Sequence, residues 1–277
     1  MFKTILVQID GSAGQANRLR AAAVLAEMHG AHLVGAGATG ISLASYAVLN
    51  GGMAAPLSDR AFEALRDDVR TRLDAFIEQA QRLGIVGTEA RLFEGSTLDG
   101  LLLQSRYADL IVVSQADAND RFGTEHGLPQ SLALGGTRPV LVVPPAYAGA
   151  PIPGNVLVGW DGSMPAQRAI SAALPLLTRA ANVTLGLINP EHQSDLHGEE
   201  PGADMALYLA RHGVTVNVAV AHTRARESDA LIGMAREVHA GLLVTGAFGH
   251  SRYREWFLGG VTRDLLGSAP VPLLIAH

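Results

Sequence analysis

Cysteine is absent from the 277 residues, which excludes disulfides, thiolate metal sites and cysteine nucleophiles. Aromatic residues are scarce at 5%, while hydrophobic residues together reach 48%, so the interior has to be built mainly from Ala, Leu and Val. That composition suits helices packed closely on buried parallel strands. Charged residues make up only 17%, too few for a disordered chain. The net charge is −5 and no basic run reaches five residues, which argues against a nucleic-acid partner. Phosphate-backbone binding depends on clustered Lys and Arg. No apolar run approaches the roughly 20 residues that span a bilayer. The opening stretch Met1–Asp10 is broken by Gln8 and Asp10 and does not read as a signal peptide. The expectation is a cytoplasmic protein that uses neither nucleic acid nor a membrane.

What is present is an alternation of short apolar strands and longer helical patterns. Strands are predicted at 3–9, 31–36, 88–93, 109–113 and 139–143, and helices at 14–29, 58–83, 98–106 and 127–137. Residues 37–57, rich in Gly, Ser and Ala, read as a loop. A Pro/Gly cluster, Pro144 to Gly154, interrupts the pattern, since proline denies backbone donors and resists both helix and central strand. The pattern then restarts, with strands at 155–159, 182–189, 214–220, 241–245 and 271–276 and helices at 165–180, 202–213, 226–239 and 260–268. Strands regularly separated by helices imply βαβ units and a parallel sheet.

The restart is a duplication. Ile5-Leu6-Val7-Gln8-Ile9-Asp10-Gly11-Ser12 matches Val156-Leu157-Val158-Gly159-Trp160-Asp161-Gly162-Ser163. Asp109 to Ser114 parallels Gly241 to Gly246, and Pro139 to Val143 parallels Pro272 to Ala276. The reading is an α/β chain of two tandem doubly wound domains, 1–144 and 155–277, joined by a linker at 145–154. Each is expected to form a five-stranded parallel sheet with helices on both faces. The equivalent last strands should relate the halves as a pseudo-dimer, and a homodimer of whole chains is a further possibility.

Two places carry candidate chemistry. The first is the Asp-Gly-Ser after each half's first strand, at the carboxyl end of the sheet where doubly wound folds bind ligands. There Asp161 either accepts hydrogen bonds from a ribose or base edge, or joins Ser163 in capping the next helix, with Pro165 in its first turn. The second runs from Gly246 through Gly249, His250, Arg252, Gly259, Gly260 and Val261 to Thr262. Its glycines follow a buried strand and open the last helix, where bare backbone N–H groups and the helix dipole suit an anion. Thr262 adds a hydroxyl in that first turn. His250, Arg252 and Arg254 either approach phosphates or form a solvated loop surface. None of the histidines shows tight ligand spacing, so no metal site is expected. Neither a nucleophile-elbow serine nor a Gly-x4-Gly-Lys-(Ser/Thr) loop occurs.

With these residues the sequence resembles the universal stress protein family, whose mark is Gly-x2-Gly-x9-Gly-(Ser/Thr) after the fourth strand and an Asp ending the first. Gly246, Gly249 and Gly259 fit that spacing and Asp161 the acidic position, and the resemblance covers the whole chain as a tandem pair. The residue after the last glycine departs from the pattern, being Gly260 where the family has Ser or Thr. The resemblance implies a five-stranded Rossmann-like sheet of the adenine-nucleotide-hydrolase type. It also implies a stress or energy-state regulator that binds ATP or another adenine nucleotide, with or without Mg²⁺, and hydrolyses it slowly if at all. The expected site is Gly159, Asp161, Gly162, Ser163, Ile188, Gly246, Gly249, His250, Arg252, Gly259, Gly260, Val261 and Thr262, Ile188 giving a backbone group to the base. No catalytic residues are assigned, because no pair is placed as general base and nucleophile. The alternatives are a nucleotide-free interaction scaffold and an adenylyl-transfer enzyme on the same fold.

The first half has lost the loop. Ser114, Asp117 and His126 stand where Gly246, Gly249 and Gly259 do, and Pro129 replaces Thr262. Side chains crowd a phosphate path, Pro129 removes a backbone donor, and Asp117, Asp120 and Glu125 repel a polyanion. One nucleotide per chain, in the second half, is the expectation.

Overall fold

A computed structural model of the chain describes residues 1–49, 56–116, 127–192, 199–249 and 260–277. They separate into two compact units, Phe2–Val113 and Ser114–His277. In the first, β1 (Thr4–Gln8) pairs in parallel with β2 (His32–Ala38) and with β4 (Leu110–Ser114), and β2 carries β3 (Thr88–Phe93) on its outer side. The helices are α1 (Gln15–His29), α2 (Leu43–Leu49), α3 (Pro56–Arg82) and α4 (Thr97–Ser105). Ile5, Leu6, Val7 and Leu110 to Val113 are buried, the near-continuous apolar run of strands covered on both faces. Along α3 the buried positions Phe62, Val69, Leu73, Phe76 and Ala80 form one stripe, at helical spacing. Two glycines of β2 admit that stripe. A Cβ on Gly35 would lie 2.5 Å from a Phe76 ring carbon, and one on Gly37 would lie 2.8 Å from Val69.

Helix α2 lies inside the segment 37–57 that the sequence reads as loop. The Ser42 hydroxyl accepts the Ser45 N–H at 3.1 Å, an N-terminal cap followed by residues without Gly or Pro. The Tyr46 ring meets Phe62 of α3 with centroids 5.9 Å apart. Composition hid this short element; the cap and the absence of breakers were its signal.

The second unit contains α5 (Leu128–Gly135), β5 (Val140–Val143), β6 (Asn155–Gly159), α6 (Met164–Leu177), β7 (Asn182–Ile188), α7 (Ala203–Arg211), β8 (Val216–Ala221), α8 (Glu227–Glu237), β9 (Ala240–Gly246), α9 (Gly260–Ser268) and β10 (Leu273–Ala276). Strands β10, β9, β6, β7 and β8 lie side by side in that order, all parallel. Beyond them β5 runs antiparallel to β10, with Val142, Leu141 and Val140 opposite Leu273, Leu274 and Ile275. The Pro/Gly stretch before β6 is packed: Tyr147 and Ile152 are buried, and the Tyr147 hydroxyl donates to the Ala150 carbonyl at 2.7 Å.

Helix α6 begins where the Ser163 side chain accepts the Ala166 N–H and Pro165 occupies the first turn. It buries Ala166, Ala169, Ile170, Ala173, Leu176 and Leu177, an i, i+3, i+4, i+7 pattern. Each of its Ile and Leu side chains contributes about 2 kcal/mol by leaving water. Adjacent residues of β9 face opposite helices, as the pleat requires. A Cβ on Gly246 would strike α6, whereas Thr245 lies against the Gly159 position beside Leu231 of α8. Helices therefore cover both faces of this sheet.

Candidate functional site

A cleft of about 300 Å³ opens at the carboxyl ends of β6, β7 and β9. Its size sits at the lower end of ligand pockets, roughly 300–1,000 Å³. From the predicted set, Gly159, Asp161, Ile188, Gly246, Gly249, Gly260, Val261 and Thr262 line it. Gly162 and Ser163 lie just behind, while His250, Arg252 and Gly259 fall outside the described residues. The sequence reading missed Trp160, Gly186, Asn189, Pro190, Glu227, Leu231, Thr245 and Phe248, which complete the wall. Asn189 had a visible signal, a polar residue directly after a buried strand. Glu227 and Leu231 come from α8, and only the folded chain brings that helix to the site.

The Asp161 turn is built locally. Gly162 has φ of +76°, a conformation that favours glycine, and lets the chain double back so that the Asp161 carboxylate accepts the Ser163 N–H at 2.9 Å. Ser163 is spent on capping α6, accepting the Ala166 N–H at 3.2 Å. The capping reading of the tripeptide holds for Ser163, and Asp161 lines the cleft.

The glycines after β9 serve packing as much as openness. A Cβ on Gly246 would lie 2.4 Å from the Ala166 nitrogen, so only glycine admits the first turn of α6. One on Gly249 would lie 2.7 Å from the Ser163 hydroxyl and 3.4 Å from an Asp161 carboxylate oxygen. Between them Phe248 takes φ of +63°, an uncommon value for a bulky residue. Its N–H is held by the Thr262 hydroxyl at 3.1 Å, and Nδ1 of His277 donates to the Ala247 carbonyl at 2.8 Å. Thr262 therefore spends an acceptor lone pair on the turn. Gly260 is different: a Cβ there would meet nothing within 4 Å, so the start of α9 faces open space.

On the opposite side Asn189, at φ of +47°, clamps the ends of β7 and β8. Its amide donates to the Thr223 carbonyl at 3.0 Å and accepts the Thr223 N–H at 2.8 Å. Nearby, Glu191 is held below the usual carboxylate range by its own backbone N–H and by His222, 3.2 Å away. The cleft thus takes the start of α9 and two carboxylates, Asp161 and Glu227, into its described lining, while Glu191 lies outside it. Among the described residues no group of three or more His, Asp or Glu could hold a metal ion.

Residues 154–277 match the family model described as the universal stress protein family. That match places a universal stress protein domain in the second half of the chain. Its fold over the full length resembles that of a universal stress protein from Archaeoglobus fulgidus DSM 4304, at 15% identity, covering 99% of this chain and 95% of that one with a TM-score of 0.68. It also resembles a protein from Pseudomonas aeruginosa UCBPP-PA14 provisionally given the same family name, at 14% identity, 99% and 93% coverage and a TM-score of 0.60. No curated protein matches the chain. No described helix is long and apolar enough to cross a membrane.

The two halves of the chain differ at the equivalent carboxylate. Asp10 is engaged by the Arg18 guanidinium at 2.6 Å, and Arg18 has no exposed side-chain surface. Burial pushes the Asp10 carboxyl up, but Arg18 and the Ser12 N–H more than offset this and hold it below its ordinary value. Arg72 reaches over from α3 to donate to the Asp10 carbonyl at 2.8 Å, and its side chain lies 2.9 Å from where a Gly11 Cβ would be. Eight residues after Asp161, where Arg18 follows Asp10, the second half has Ala169 (10 + 8 = 18; 161 + 8 = 169).

Proposed function

We propose that the chain acts as a universal stress protein and binds one adenine nucleotide, ATP in the first instance, in the cleft of its second unit. It acts there as a regulatory binding protein and not as a catalyst. The observation that carries this reading is the convergence of Asp161 and the open start of α9 on one cleft at the carboxyl ends of parallel strands. The first turn of a helix has N–H groups without intrahelical partners, and its dipole favours an anion. The Asp161 carboxylate suits the hydroxyls of a sugar at the other end. With Ser163 committed to its cap, the described residues of the cleft include no nucleophile paired with a base.

The test is an equilibrium ATP titration with product analysis on the purified chain and on Gly260→Asp. Open space at Gly260 and the favourable place of an acid at a helix start keep that variant folded, while its charge opposes the phosphates. A stoichiometry near one, no rapid turnover, and at least tenfold weaker binding by the variant are expected, the last from about 1.4 kcal/mol of repulsion. Undiminished binding by Gly260→Asp would move the phosphates elsewhere. An absence of binding by the parent chain would favour a scaffold role, and turnover with a co-substrate would favour an enzyme.

A further inference from the structure

The described lining of the cleft contains one acidic side chain that the Asp-and-glycine pattern does not explain. Glu227 opens α8 and lines the wall beside Asn189, partly buried. Its neighbours are both tied down on the same carboxylate of α9. The Ser228 hydroxyl donates to Asp264 at 3.2 Å, and Arg226 lies 3.5 Å from the same oxygen. Among the described residues the Glu227 carboxylate itself has no hydrogen-bond or ion-pair partner, although the residues on either side of it do. A carboxylate at the start of a helix also complements the helix dipole. Asp229 supplies that charge in the same turn, so the dipole alone does not account for an acid in the cleft wall.

Position decides what Glu227 can meet. The strand order is β10, β9, β6, β7, β8. The start of α9 and the Gly246–Gly249 turn belong to the β9–β10 side, Asp161 follows β6, and Ile188, Asn189 and Glu227 belong to the β7–β8 side. A nucleotide with its phosphates on α9 and its sugar near Asp161 carries its base to Ile188 and Glu227. A carboxylate accepts hydrogen bonds and donates none. It rewards a base edge bearing N–H groups and repels one bearing only ring acceptors. It also drives the phosphates to the far end, which fixes the ligand's direction.

Resting on the nucleotide reading above, we infer that Glu227 is the specificity residue of the cleft, reading an N–H donor on the base edge. That donor is the exocyclic amine of adenine or the amine-bearing edge of guanine. The experiment compares dissociation constants of ATP with purine riboside triphosphate, which lacks the exocyclic amine, and of GTP with inosine triphosphate. Each pair is measured on the parent chain and on Glu227→Met, which keeps side-chain length and removes both acceptors. Circular dichroism and thermal melts check the fold of the variant.

In the parent chain one amine-bearing nucleotide should bind about tenfold more tightly than its amine-free partner, a hydrogen bond to a partly exposed charge. Glu227→Met should bring that ratio to about one by weakening the amine-bearing ligand alone. The pair that shows the effect identifies the base. A parent ratio near one for both pairs, or a ratio that survives in Glu227→Met, overturns the assignment. If Glu227 served only the helix end, the variant would melt earlier with the ratio unchanged, which also overturns it. If ATP and GTP bind with equal selectivity ratios of one but still bind, the nucleotide reading stands and only the Glu227 assignment falls. If the parent chain binds none of the four, both fall.

Discussion

Asp10 and Asp161 occupy the same place in a duplicated sequence and do different work. Asp10 faces a guanidinium that has no exposed surface, with Arg72 lying over its turn. Asp161 instead turns back on the Ser163 N–H and lines an open cleft. The flanking helices differ in step. On the numbering of the second half α1 would begin at 15 + 151 = 166, whereas α6 begins at 164. Helix α6 is capped by Ser163, while the Gly14 start of α1 has no side-chain cap and Gln15 accepts the Asp10 and Gly11 N–H groups instead. A carboxylate kept through duplication is thus no evidence of a kept site. What surrounds it decides.

The sharpest way to break this contrast is to remove each carboxylate in turn. Asp10→Ala removes the ion-pair partner of the buried Arg18, and chemical denaturation should show a loss of about 3 kcal/mol with ATP affinity unchanged. Asp161→Ala should do the reverse. Its stability should fall by about 1 kcal/mol or less, while ATP binding weakens about tenfold or more, as for a hydrogen bond to a charged group. Equal effects of the two substitutions on ATP binding would restore the symmetry of the halves.

A smaller effect separates the carboxylates by pH. Because the folded Asp10 carboxyl lies below its ordinary value of 3.8, its ion pair stabilises the chain fully above that value. The contribution disappears as pH falls from 3.8 through the lower folded value, where the native state can no longer keep the carboxyl ionised. Denaturation midpoints of the parent chain and Asp10→Asn should therefore differ at about pH 6, and the gap should shrink progressively as pH falls below 3.8. A gap that persists in acid would remove the ion pair as its cause.

The smallest expected effect is a gain. Gly260 stands where the family pattern has Ser or Thr, and the space beside it is open. Gly260→Ser should tighten ATP binding severalfold, the contribution of one hydroxyl hydrogen bond of about 1 kcal/mol. No change would mean that Thr262 or the backbone already serves the phosphate fully.

Much of the fold was legible because buried parallel strands leave long apolar runs and helices leave periodic ones. Val156 to Val158 and Leu242 to Val244 could hardly be anything else. The short α2 escaped, since Gly, Ser and Ala dominate around it while its cap is a single residue, Ser42. The lining of the candidate cleft was legible where it is contiguous, at Asp161, at Gly246 and Gly249, and from Gly260 to Thr262. It was not legible where distant residues converge, as with Glu227 and Leu231. Gly246 was read for openness toward an anion, yet its missing Cβ accommodates Ala166. Nothing local in the sequence marks Arg18 as buried, since one arginine in an alanine-rich helix looks like a solvated residue.

The antiparallel seam of β5 with β10 has a practical corollary for anyone dissecting the chain. A fragment cut within the Pro/Gly stretch and beginning near residue 155 would include every candidate ligand-facing residue, yet strip β10 of its neighbour. The uncovered border is Leu273, Leu274 and Ile275, apolar side chains beside unpaired main-chain groups, which is a template for clumping or for adopting a stray strand. A cut before Ser114 keeps the seam closed. Autonomy of the cleft-bearing half is therefore a matter of where the scissors fall, and the repeat boundary is the wrong place for them.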